Sequence, residues 1–557
     1  MFVRVKSTPN SPRKSVQIVH SIRRGNKVTQ KIIRYVGIAM DDQELEQLKL
    51  LAESIRIKLQ EEGQELLFSP EELEKLNTHQ KHKRITESDE DYKVNLKDLK
   101  EEARVVRGIH DVYGGLFDEL GYDHVIKYPS RHKATVRMFR DIVLGRIANP
   151  QSKRSTVSML EEDFGITLDL DRVYTMMDSL DDEAIERLND ITYKNTAGLF
   201  NEKIDVIFFD CTTIYFETFE EDSLRRNGYS KDLKFNQPQV LLAMMVTKEG
   251  LPVGYQVFEG DVYEGHTVIS ALKEIKQKRR LGKVIFVADA GMFNKENLQE
   301  LDELEEQKFE YIVGARLKNM SKMMQEKILD EKNYGKISDG FRVGEFEYKG
   351  KKIIVSYRQK RADKDAHDRD KAIKKLKKKL EKQKNAKAYL SNYGNKKYLK
   401  IEGESSIELD EEKIKNAAKW DGLKGVVSNA EDITNPEILE QYNNLWNVEN
   451  AFRITKHDLK VRPVFHWKPR RVRAHLAISF AAYALVKHLE YRVKLQYKKL
   501  SPQVIRETLL RVQTSILYDT FKKIRYGLPS RISKYAQKIY QLLKITHRLT
   551  PYIIKKM

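Results

Sequence analysis

Residues 204–210 read IDVIFFD, an apolar run that ends in Asp210 and is typical of a buried β-strand. Residues 284–289 read VIFVAD and repeat this pattern, with Asp289 as the final residue. A third acidic residue, Glu449, lies in the segment QYNNLWNVENAFRITKHDLK, which has helical periodicity. Neighbouring strands can present Asp210 and Asp289 at one edge of a sheet, and a helix packed across that edge can place Glu449 between them. The three positions therefore predict an α/β core with a cluster of carboxylates.

Apolar runs of strand length continue along this part of the chain, and turn-rich pieces separate them. They lie at residues 204–209, 212–216, 240–247, 253–258, 284–288 and 311–315. Helical periodicity fills the two intervals between the last three runs. This order of strands and helices predicts a ribonuclease H-like catalytic core, in which a mixed sheet is flanked by helices.

The charge balance indicates a polyanionic partner. Lys and Arg total 102 against 82 Asp and Glu, a formal net charge of +20. An excess of this kind raises the local concentration of polyanions and speeds their capture, so double-stranded DNA is the leading candidate partner. The alternative is a basic but solvated surface, and charge alone does not exclude it.

Cysteine usage and the apolar stretches indicate a cytoplasmic protein. The single cysteine, Cys211, excludes an internal disulfide and a zinc ribbon built from thiolates. The opening MFVRVKSTPNSPRK has no apolar segment of the kind found in signal peptides. The longest apolar stretch, residues 474–486, is too short to span a bilayer. We therefore expect a cytoplasmic location and no membrane partner.

The length of 557 residues predicts several domains. The expected regions are a basic hairpin plus helical arm (1–90), a helical DNA-binding region (91–199), the first part of the core (200–316), an inserted strand and basic-helix subdomain (317–420), the second part of the core (421–495) and a basic helical tail (496–557). For each basic region, the sequence allows two interpretations, DNA contact or a structural role without it. The hairpin could follow a phosphate backbone or be an edge strand protected by charge. The helical region could enter a DNA groove or be a plain bundle, and the lysine-rich helix of the insertion could be a solvated face.

The residue types of the carboxylate cluster suit phosphodiester transfer. That chemistry needs a deprotonated oxygen nucleophile and a stabilised leaving oxygen, which two divalent ions about 4 Å apart can supply. Hard cations such as Mg²⁺, with Mn²⁺ as a possible substitute, take oxygen ligands. Asp210, Asp289 and Glu449 are therefore candidate metal ligands.

The segment around Glu449 is predicted as one helix that starts at Asn435 and Pro436. Tyr442, Glu449 and Lys456 are spaced by seven residues and so share one helical face, which Arg453 joins four residues after Glu449. This face either presents Glu449 as a metal ligand with phosphate-binding neighbours, or it is an exposed charged surface of the helix.

Two tryptophans are secondary candidates for stacking on an unpaired base. Trp446, on the predicted helix, is expected to pack in the core instead. Trp467 lies in a basic stretch, so DNA contact and simple packing remain alternatives. The basic residues around it are Lys468, Arg470, Arg471 and Arg473.

The chain resembles the DDE transposases of bacterial insertion sequences, in the group marked by a Tyr-x2-Arg-x3-Glu-x6-Lys signature after the second aspartate. Tyr442, Glu449 and Lys456 stand at the signature spacing, whereas Leu445 occupies the position of the signature arginine. Arg453 is the candidate to replace that arginine. Further similar stretches between about residues 200 and 490 are FDCTTIYFET, NGYSKDLKFNQPQVLLAMMVTKEGLPVGYQVFEGD, VADAGMFNKENL and LKVRPVFHWKPRRVRAHLAISFAAYAL.

This resemblance implies a ribonuclease H-like catalytic domain that is interrupted before its glutamate. It implies that Asp210, Asp289 and Glu449 hold two Mg²⁺ ions. It also implies binding of the inverted repeats at the element's ends, strand cleavage that frees a 3′-hydroxyl, and attack of that hydroxyl on target DNA. Members of the group are similar in acting as a synapsed homodimer, often through a hairpin intermediate. A prokaryotic protein of this kind would work at the nucleoid.

Two other functional classes are alternatives to a transposase. A haloacid dehalogenase-type phosphatase also opens with a strand and a nucleophilic aspartate, but Thr212 occupies the position where that family has a second aspartate. A catalytically inactive, sequence-specific DNA-binding protein derived from a transposase is the remaining alternative, although all three acidic residues are present.

Overall fold

The structure, a computed structural model, describes most of the chain. The described residues are 2–7, 14–24, 27–39, 45–46, 48–49, 52–53, 55–56, 92–200, 204–228, 236–263, 265, 267, 284–289, 309–380, 398–402, 406–497 and 500–554. They belong to two compact units. The first contains residues 1–100 with 517–525, and the second contains residues 101–516 with 526–557.

The first unit contains an antiparallel sheet of three strands. They are β1 (Phe2–Ser7), β2 (Lys14–Arg24) and β3 (Lys27–Ala39), with β2 in the centre. The predicted basic hairpin is confirmed as β2 and β3, which pair up to Arg24 and Lys27, while its predicted turn residues lie outside the described residues. The sheet has one strand more than predicted, because the Val3 and Val5 alternation of β1 was not recognised as a strand.

Strand β4 (Leu99–Val106) leads into the second unit, which continues with helices. These are α1 (Gly115–Glu119), α2 (Lys133–Ala148), α3 (Lys153–Phe164), α4 (Leu170–Asp178) and α5 (Asp182–Gly198). The helix starts are set by capping residues, since the side chains of Ser152, Asp169 and Asp181 accept hydrogen bonds from backbone amides of the first turn. The helical pattern predicted here is confirmed.

The central sheet starts with five strands. They are β5 (Val206–Tyr215), β6 (Gln239–Val246), β7 (Pro252–Glu259), β8 (Val284–Ala288) and β9 (Phe309–Ala315). Strands β5, β6 and β7 form an antiparallel meander, and β8 and β9 then add in parallel on the other side of β5. The spatial order β7-β6-β5-β8-β9 confirms the predicted ribonuclease H-like mixed sheet.

One strand prediction in this sheet is wrong. Residues 204–209 and 212–216 were expected to be two strands, but they are one continuous strand, β5, and Asp210 is its fifth residue rather than its end. Asp210 and Thr212 interrupt the apolar run without interrupting the backbone pairing, since they lie opposite Met244 and Leu242 of β6. A polar side chain on one face of a strand does not end the strand.

The segment between β9 and the Glu449 region extends the same sheet. It contains α6 (Lys322–Leu329), β10 (Gly335–Ser338), β11 (Phe341–Tyr348), β12 (Lys351–Arg358), α7 (Gln359–Leu380), β13 (Leu399–Glu402), β14 (Ser406–Leu409), α8 (Glu411–Ala418) and β15 (Leu423–Ser428). Strand β15 pairs antiparallel with β9 on one side and β12 on the other, which gives a nine-stranded sheet in the order β10-β11-β12-β15-β9-β8-β5-β6-β7. The predicted strand pair of the insertion is confirmed as β11 and β12.

The segment that carries Glu449 is not one helix. It forms α9 (Asn435–Asn443), α10 (Trp446–Arg453) and a π-helical turn (Ile454–Asp458). Asn444 and Leu445 separate the two helices, and Asn444 disfavours a continuous helix because asparagine competes for backbone hydrogen bonds. The cap also differs from the prediction, since Thr434 and Glu437 form a capping box around the start of α9.

The carboxyl-terminal part begins with the long helix α11 (Pro469–Gln496), which is buried over most of its length. The tail then forms α12 (Pro502–Leu510), β16 (Gln513–Asp519), β17 (Arg525–Pro529), α13 (Lys534–Leu542) and β18 (Tyr552–Ile554). The expectation of a purely helical tail is wrong, because its three strands complete a sheet in the order β18-β17-β16-β4. That pairing uses β4, some 400 residues upstream, so local periodicity could not reveal it. Among the described helices, none is both long and apolar enough to cross a membrane.

Candidate active site

The two candidate aspartates lie side by side on the sheet. Strands β5 and β8 are parallel neighbours, and their last registered pair joins Phe208 to Val287. Asp210 and Asp289 each follow one member of that pair by two residues, and alternate residues of a strand share a face. Both carboxylates therefore belong to the same face of the sheet, Asp210 within β5 and Asp289 directly after β8. Asp210 is half-buried and Asp289 is exposed.

The helix that carries Glu449 packs on this same face. Helix α10 contacts β5 and β6. Its residues Val448 and Phe452 share one hydrophobic core with Phe208 and Val287, the face that carries the aspartates. Glu449 itself is exposed at the edge of this contact. The structure thus brings the three predicted acidic residues to one face of one sheet.

Tyr442 connects the helix pair to the second aspartate. Its hydroxyl donates a hydrogen bond to Oδ1 of Asp289 at 3.2 Å. The side chain is buried, and burial raises the pKa of the Tyr442 phenol, with the Asp289 carboxylate raising it further. The phenol therefore stays protonated and acts as a hydrogen-bond donor that orients Asp289.

Lys456 reaches the first strand of the site. Its ammonium group donates a hydrogen bond to Oγ1 of Thr212, which follows Asp210 by two residues and shares its face. Lys456 lies in the π-helical turn after α10. The signature positions Tyr442, Glu449 and Lys456 therefore converge on the same sheet face, although they do not share one helix.

Lys424, in β15, is a site residue that the sequence analysis missed. Its ammonium group lies 4.3 Å from the centroid of the Tyr442 ring and donates to Oδ1 of Asn443 at 3.3 Å. Burial lowers the pKa of Lys424, and the neighbouring carboxylates of Asp289 and Glu449 oppose that change. Lys424 thus lies within the electrostatic field of two of the three acidic residues. No motif marks it, because it lies in β15, outside the signature.

Three further residues of the predicted helix, Leu445, Arg453 and Trp446, lie outside the contacts with Asp289 and Thr212. Leu445, at the place of the signature arginine, is buried in the core and presents no charge. The Arg453 guanidinium donates two hydrogen bonds to Oδ1 of Asn450, at 2.7 and 3.1 Å. The prediction that Trp446 packs in the core is wrong, since its side chain is 52% exposed.

The basic stretch around Trp467 is partly engaged within the protein. Arg471 donates two hydrogen bonds to the Asp178 carboxylate, at 2.7 and 2.8 Å, and Arg470 donates a third at 3.0 Å. Arg473 donates to the backbone oxygen of Val257 at 3.3 Å. Lys468 directly precedes α11, and its side chain makes no capping hydrogen bond. Trp467 is 62% exposed and stands 5.4 Å from the Arg225 guanidinium.

Two clefts border the carboxylate face. A cleft of about 810 Å³ is lined by Asp289 and Tyr442 together with residues of α7 and β15. A second cleft, of about 470 Å³, is lined by Lys456 and Tyr215 and by the aromatic residues Phe465 and Trp467. Asp289 thus lines the first cleft, and Lys456 of the signature lines the second.

The donor set fits a hard divalent cation. Asp210, Asp289 and Glu449 offer only carboxylate oxygens, which Mg²⁺ and Mn²⁺ prefer over nitrogen or sulfur ligands. Within the part of the chain that the structure describes, no three His, Cys, Asp or Glu side chains stand close enough together to hold a metal ion. Assignment of these carboxylates as metal ligands therefore remains a prediction.

Comparison with known families defines the class of protein. Residues 201–485 match the family described as "Transposase DDE domain", which includes β5–β9, the insertion, both signature helices and most of α11. Residues 2–66 match "IS1634 family transposase, N-terminal domain". The chain belongs to the DDE transposases of bacterial insertion sequences.

Solved structures offer only distant similarity. The chain is similar to "Mos1 transposase paired-end complex with left transposon end" at 14% identity and a TM-score of 0.14, covering 29% of this chain and 53% of that chain. It is similar to "Crystal structure of the Mos1 Strand Transfer Complex" at 14% identity and a TM-score of 0.13, with the same coverage. The chain thus spans about half the length of these transposases. Among curated proteins, none matches the chain.

Proposed function

We propose that this protein is an active DNA transposase, which binds the terminal inverted repeats of an insertion sequence and performs metal-dependent strand cleavage and strand transfer. One observation carries the proposal. Asp210 and Asp289 share a face at two adjacent parallel strands, and the helix of Glu449 packs on that face. Three separate segments of the chain thus bring carboxylates to one face of the sheet, which supports the proposal.

In this proposal Asp210, Asp289 and Glu449 hold two Mg²⁺ ions. When bound, the ions supply a deprotonated oxygen nucleophile and neutralise charge on the scissile phosphate. Tyr442 orients the Asp289 carboxylate through its hydrogen bond. Lys456, held at Thr212, offers a positive charge to a DNA phosphate beside Asp210.

Binding of DNA would use basic and aromatic residues around the carboxylate face. We assign phosphate contacts to Arg453, Lys468 and the arginines Arg470, Arg471 and Arg473. Arg470 and Arg471 would exchange their bonds with Asp178 for bonds to phosphate. The exposed ring of Trp467 is suited to stack on an unpaired base. A homodimer that synapses two element ends, at the nucleoid in the cytoplasm, completes the proposal.

The test is strand cleavage on linear DNA that carries the element's own ends. We expect the wild-type protein to nick these ends in Mg²⁺ or Mn²⁺. Asp210→Asn, Asp289→Asn and Glu449→Gln should each lose at least about 100-fold in cleavage rate, because each removes a proposed metal ligand. They should retain DNA binding, because none of them removes a basic side chain. Asp339→Asn, at an exposed turn carboxylate of the insertion, is the matched control and should cleave normally.

Two outcomes would contradict the proposal. Specific binding without cleavage in any divalent metal would indicate a catalytically inactive DNA-binding protein. Normal cleavage by all three variants would show that the reacting site lies elsewhere. Sedimentation of the protein with paired ends, together with the cleavage assay, tests the dimer separately. Full cleavage activity of a monomer bound to one end would exclude synapsis as a requirement.

A further inference from the structure

The cleft of about 810 Å³ beside Asp289 has a distinctive arrangement of charge. One wall is β15, which carries Lys424, and the other is α7, which carries Arg361. The carboxylate of Asp289 and the ring of Tyr442 belong to the same lining. Cationic side chains of β15 and α7 therefore line the same cleft as Asp289, one of the proposed catalytic carboxylates.

Lys424 is held in a defined position within this cleft. Its strand is paired on both sides, and Ser356 of β12 is its registered partner. The Nζ atom is fixed by the Tyr442 ring at 4.3 Å and by the Asn443 side-chain oxygen at 3.3 Å. Because a lysine side chain is otherwise flexible, these contacts preorganise its charge beside Asp289 and Glu449.

Arg361 approaches the same point from α7. Its positive charge acts on both Lys424 and Tyr442, lowering the pKa of each. The Arg361 Nε atom lies 3.5 Å from Oδ2 of Asp365, and the same oxygen accepts a hydrogen bond from the Gly422 amide at 3.1 Å. Asp365 thus connects α7 to the residues that lead into β15.

The two cations repel one another, which contributes to the lowered pKa of Lys424. Asp365 offsets part of the Arg361 charge, and an anion in the cleft would add an opposite charge for both cations. A phosphodiester that approaches Asp289 and Glu449 is repelled by both carboxylates, and fixed cations beside them reduce this repulsion. Leu445 is buried and apolar, so the signature position itself offers no cation for this purpose.

We propose that Lys424 and Arg361 form a phosphate-binding site for the DNA strand that engages the Asp289 side of the carboxylate face. This inference rests on the proposed function, since it takes DNA as the substrate. The insertion then contributes directly to substrate binding. The lining of the cleft also contains Arg316 and Lys318, together with the carboxylates of Asp365, Asp368 and Asp421.

Salt-dependent DNA binding by the full-length protein is the first test. The probe is a fluorescein-labelled duplex of arbitrary sequence with a single-stranded 3′ extension, and EDTA is present so that no cleavage occurs. Lys424→Gln and Arg361→Gln should each weaken binding about three- to tenfold near physiological salt and reduce the slope of log K against log salt by about 0.7–0.9, the loss of one phosphate contact. Lys424→Arg should preserve the wild-type slope.

Lys327→Gln is the matched control, because Lys327 is an exposed lysine on α6, within the insertion but outside the cleft lining. It removes the same charge from the same subdomain. If Lys424→Gln and Arg361→Gln show only the slope and affinity of Lys327→Gln, the phosphate site is disproved.

Cross-linking gives a second measurement that does not depend on affinity. Cys211, the chain's single cysteine, is buried, so Lys424→Cys introduces one accessible thiol. A DNA strand that carries an activated disulfide on a phosphate near its 3′ end should react much faster with Lys424→Cys and Arg361→Cys than with Lys327→Cys. Equal rates for the three variants would overturn the inference.

The two proposals fail in different ways. Loss of the salt-slope and cross-linking differences, with cleavage retained, would remove the phosphate site and leave the transposase proposal intact. Absence of cleavage, with those differences present, would remove catalysis and leave the phosphate site intact.

Discussion

The hydroxyl of Tyr442 donates a hydrogen bond to Oδ1 of Asp289 at 3.2 Å, across a sequence separation of 153 residues. This bond joins α9 to the end of β8, so the position of the signature helices is coupled to the orientation of a candidate metal ligand. Because the phenol is buried and its pKa is raised, the donor keeps its proton throughout the neutral range.

Tyr442→Phe should slow DNA cleavage while the fold is retained, because the ring still packs and only the hydrogen bond is lost. A hydrogen bond to a charged group contributes about 1.5–3 kcal/mol, so we expect a rate loss of about ten- to 100-fold and a higher Mg²⁺ concentration for half-maximal rate. Cleavage kinetics across a Mg²⁺ titration measure both. Tyr334→Phe removes a comparable hydrogen bond, to the Ile328 backbone oxygen, and should leave the Mg²⁺ dependence unchanged.

Asp178→Asn should tighten DNA binding, because Asp178 holds Arg470 and Arg471 in hydrogen bonds that would compete with phosphate. We expect a several-fold gain in affinity, measured by fluorescence anisotropy, and a larger gain than for Asp163→Asn, which removes the same charge from an exposed site on α3. An equal gain in affinity for both variants would mean that the gain comes from the change in net charge and not from release of Arg470 and Arg471.

The same aspartate predicts a pH effect on stability. The hydrogen bond from Arg471 lowers the pKa of Asp178, so the ion pair stabilises the fold at pH values above the ordinary aspartate pKa of 3.8. That contribution is lost as the pH falls through the lower pKa of the folded state. Asp178 is half-buried, but its partner Arg470 is 59% exposed, so solvent screening should limit the effect to about 1 kcal/mol. Thermal unfolding of wild-type and Asp178→Asn protein should differ at neutral pH and converge in acid.

Two buried histidines should make the protein sensitive to mild acid. Burial lowers the pKa of His488 to about 4 and of His466 to about 3. Below pH 6.5 these histidines are protonated in the unfolded chain but stay neutral in the folded chain until much lower pH. The free energy of unfolding therefore falls progressively from pH 6.5 to about 4. The loss should be on the order of 2–3 kcal/mol per histidine.

His488→Gln and His466→Gln should flatten this part of the profile, which urea unfolding at several pH values would measure. Substitution of the exposed residue His132→Gln is the control and should leave the profile unchanged. A wild-type profile that is flat between pH 6.5 and 4 would contradict the prediction.

Gly422→Ala should destabilise the insertion more than Gly350→Ala. Both glycines have a left-handed backbone, with φ of 80° and 72°. An added Cβ at Gly350 meets open space, whereas at Gly422 it would lie 2.9 Å from the Ala362 side chain and from the Arg358 backbone oxygen. We expect a loss of about 1 kcal/mol from backbone strain alone at Gly350 and a larger loss at Gly422.

Denaturant unfolding distinguishes these two cases. Because Gly422 precedes Lys424 and contacts α7, Gly422→Ala should also weaken binding of the labelled duplex with a single-stranded 3′ extension. Equal destabilisation of the two variants would mean that the close approach of α7 to β15 is not rigid.

Several features were readable from the sequence because their signals are local. The apolar runs that became β6, β7, β8 and β9 have strand length and turn-rich boundaries, so both the strands and their order could be predicted. Asp289 was recognised as a residue that directly follows a strand. The helix caps at Ser152, Asp169 and Asp181 agree with the general preference for small polar residues at these positions.

Local signals also produced the errors. The polar residues Asp210 and Thr212 were read as a break in a strand, although the backbone pairing with β6 passes through them. The seven-residue spacing of Tyr442, Glu449 and Lys456 predicted one helix, whereas two helices and a π-helical turn deliver these side chains. Spacing fixes the order of residues along the chain but not the path between them.

By itself, the sequence determined which residue types this protein brings to its site and the order of the strands that carry them, because strand and helix patterns depend on neighbouring residues. Tertiary structure alone decided that the insertion continues the central sheet through β15, that the tail pairs with β4, and that Lys424 stands beside Tyr442 and Asp289. These relationships depend on contacts between segments far apart in the chain, whose free energy comes from packing and charge in three dimensions and leaves no periodic trace in the sequence.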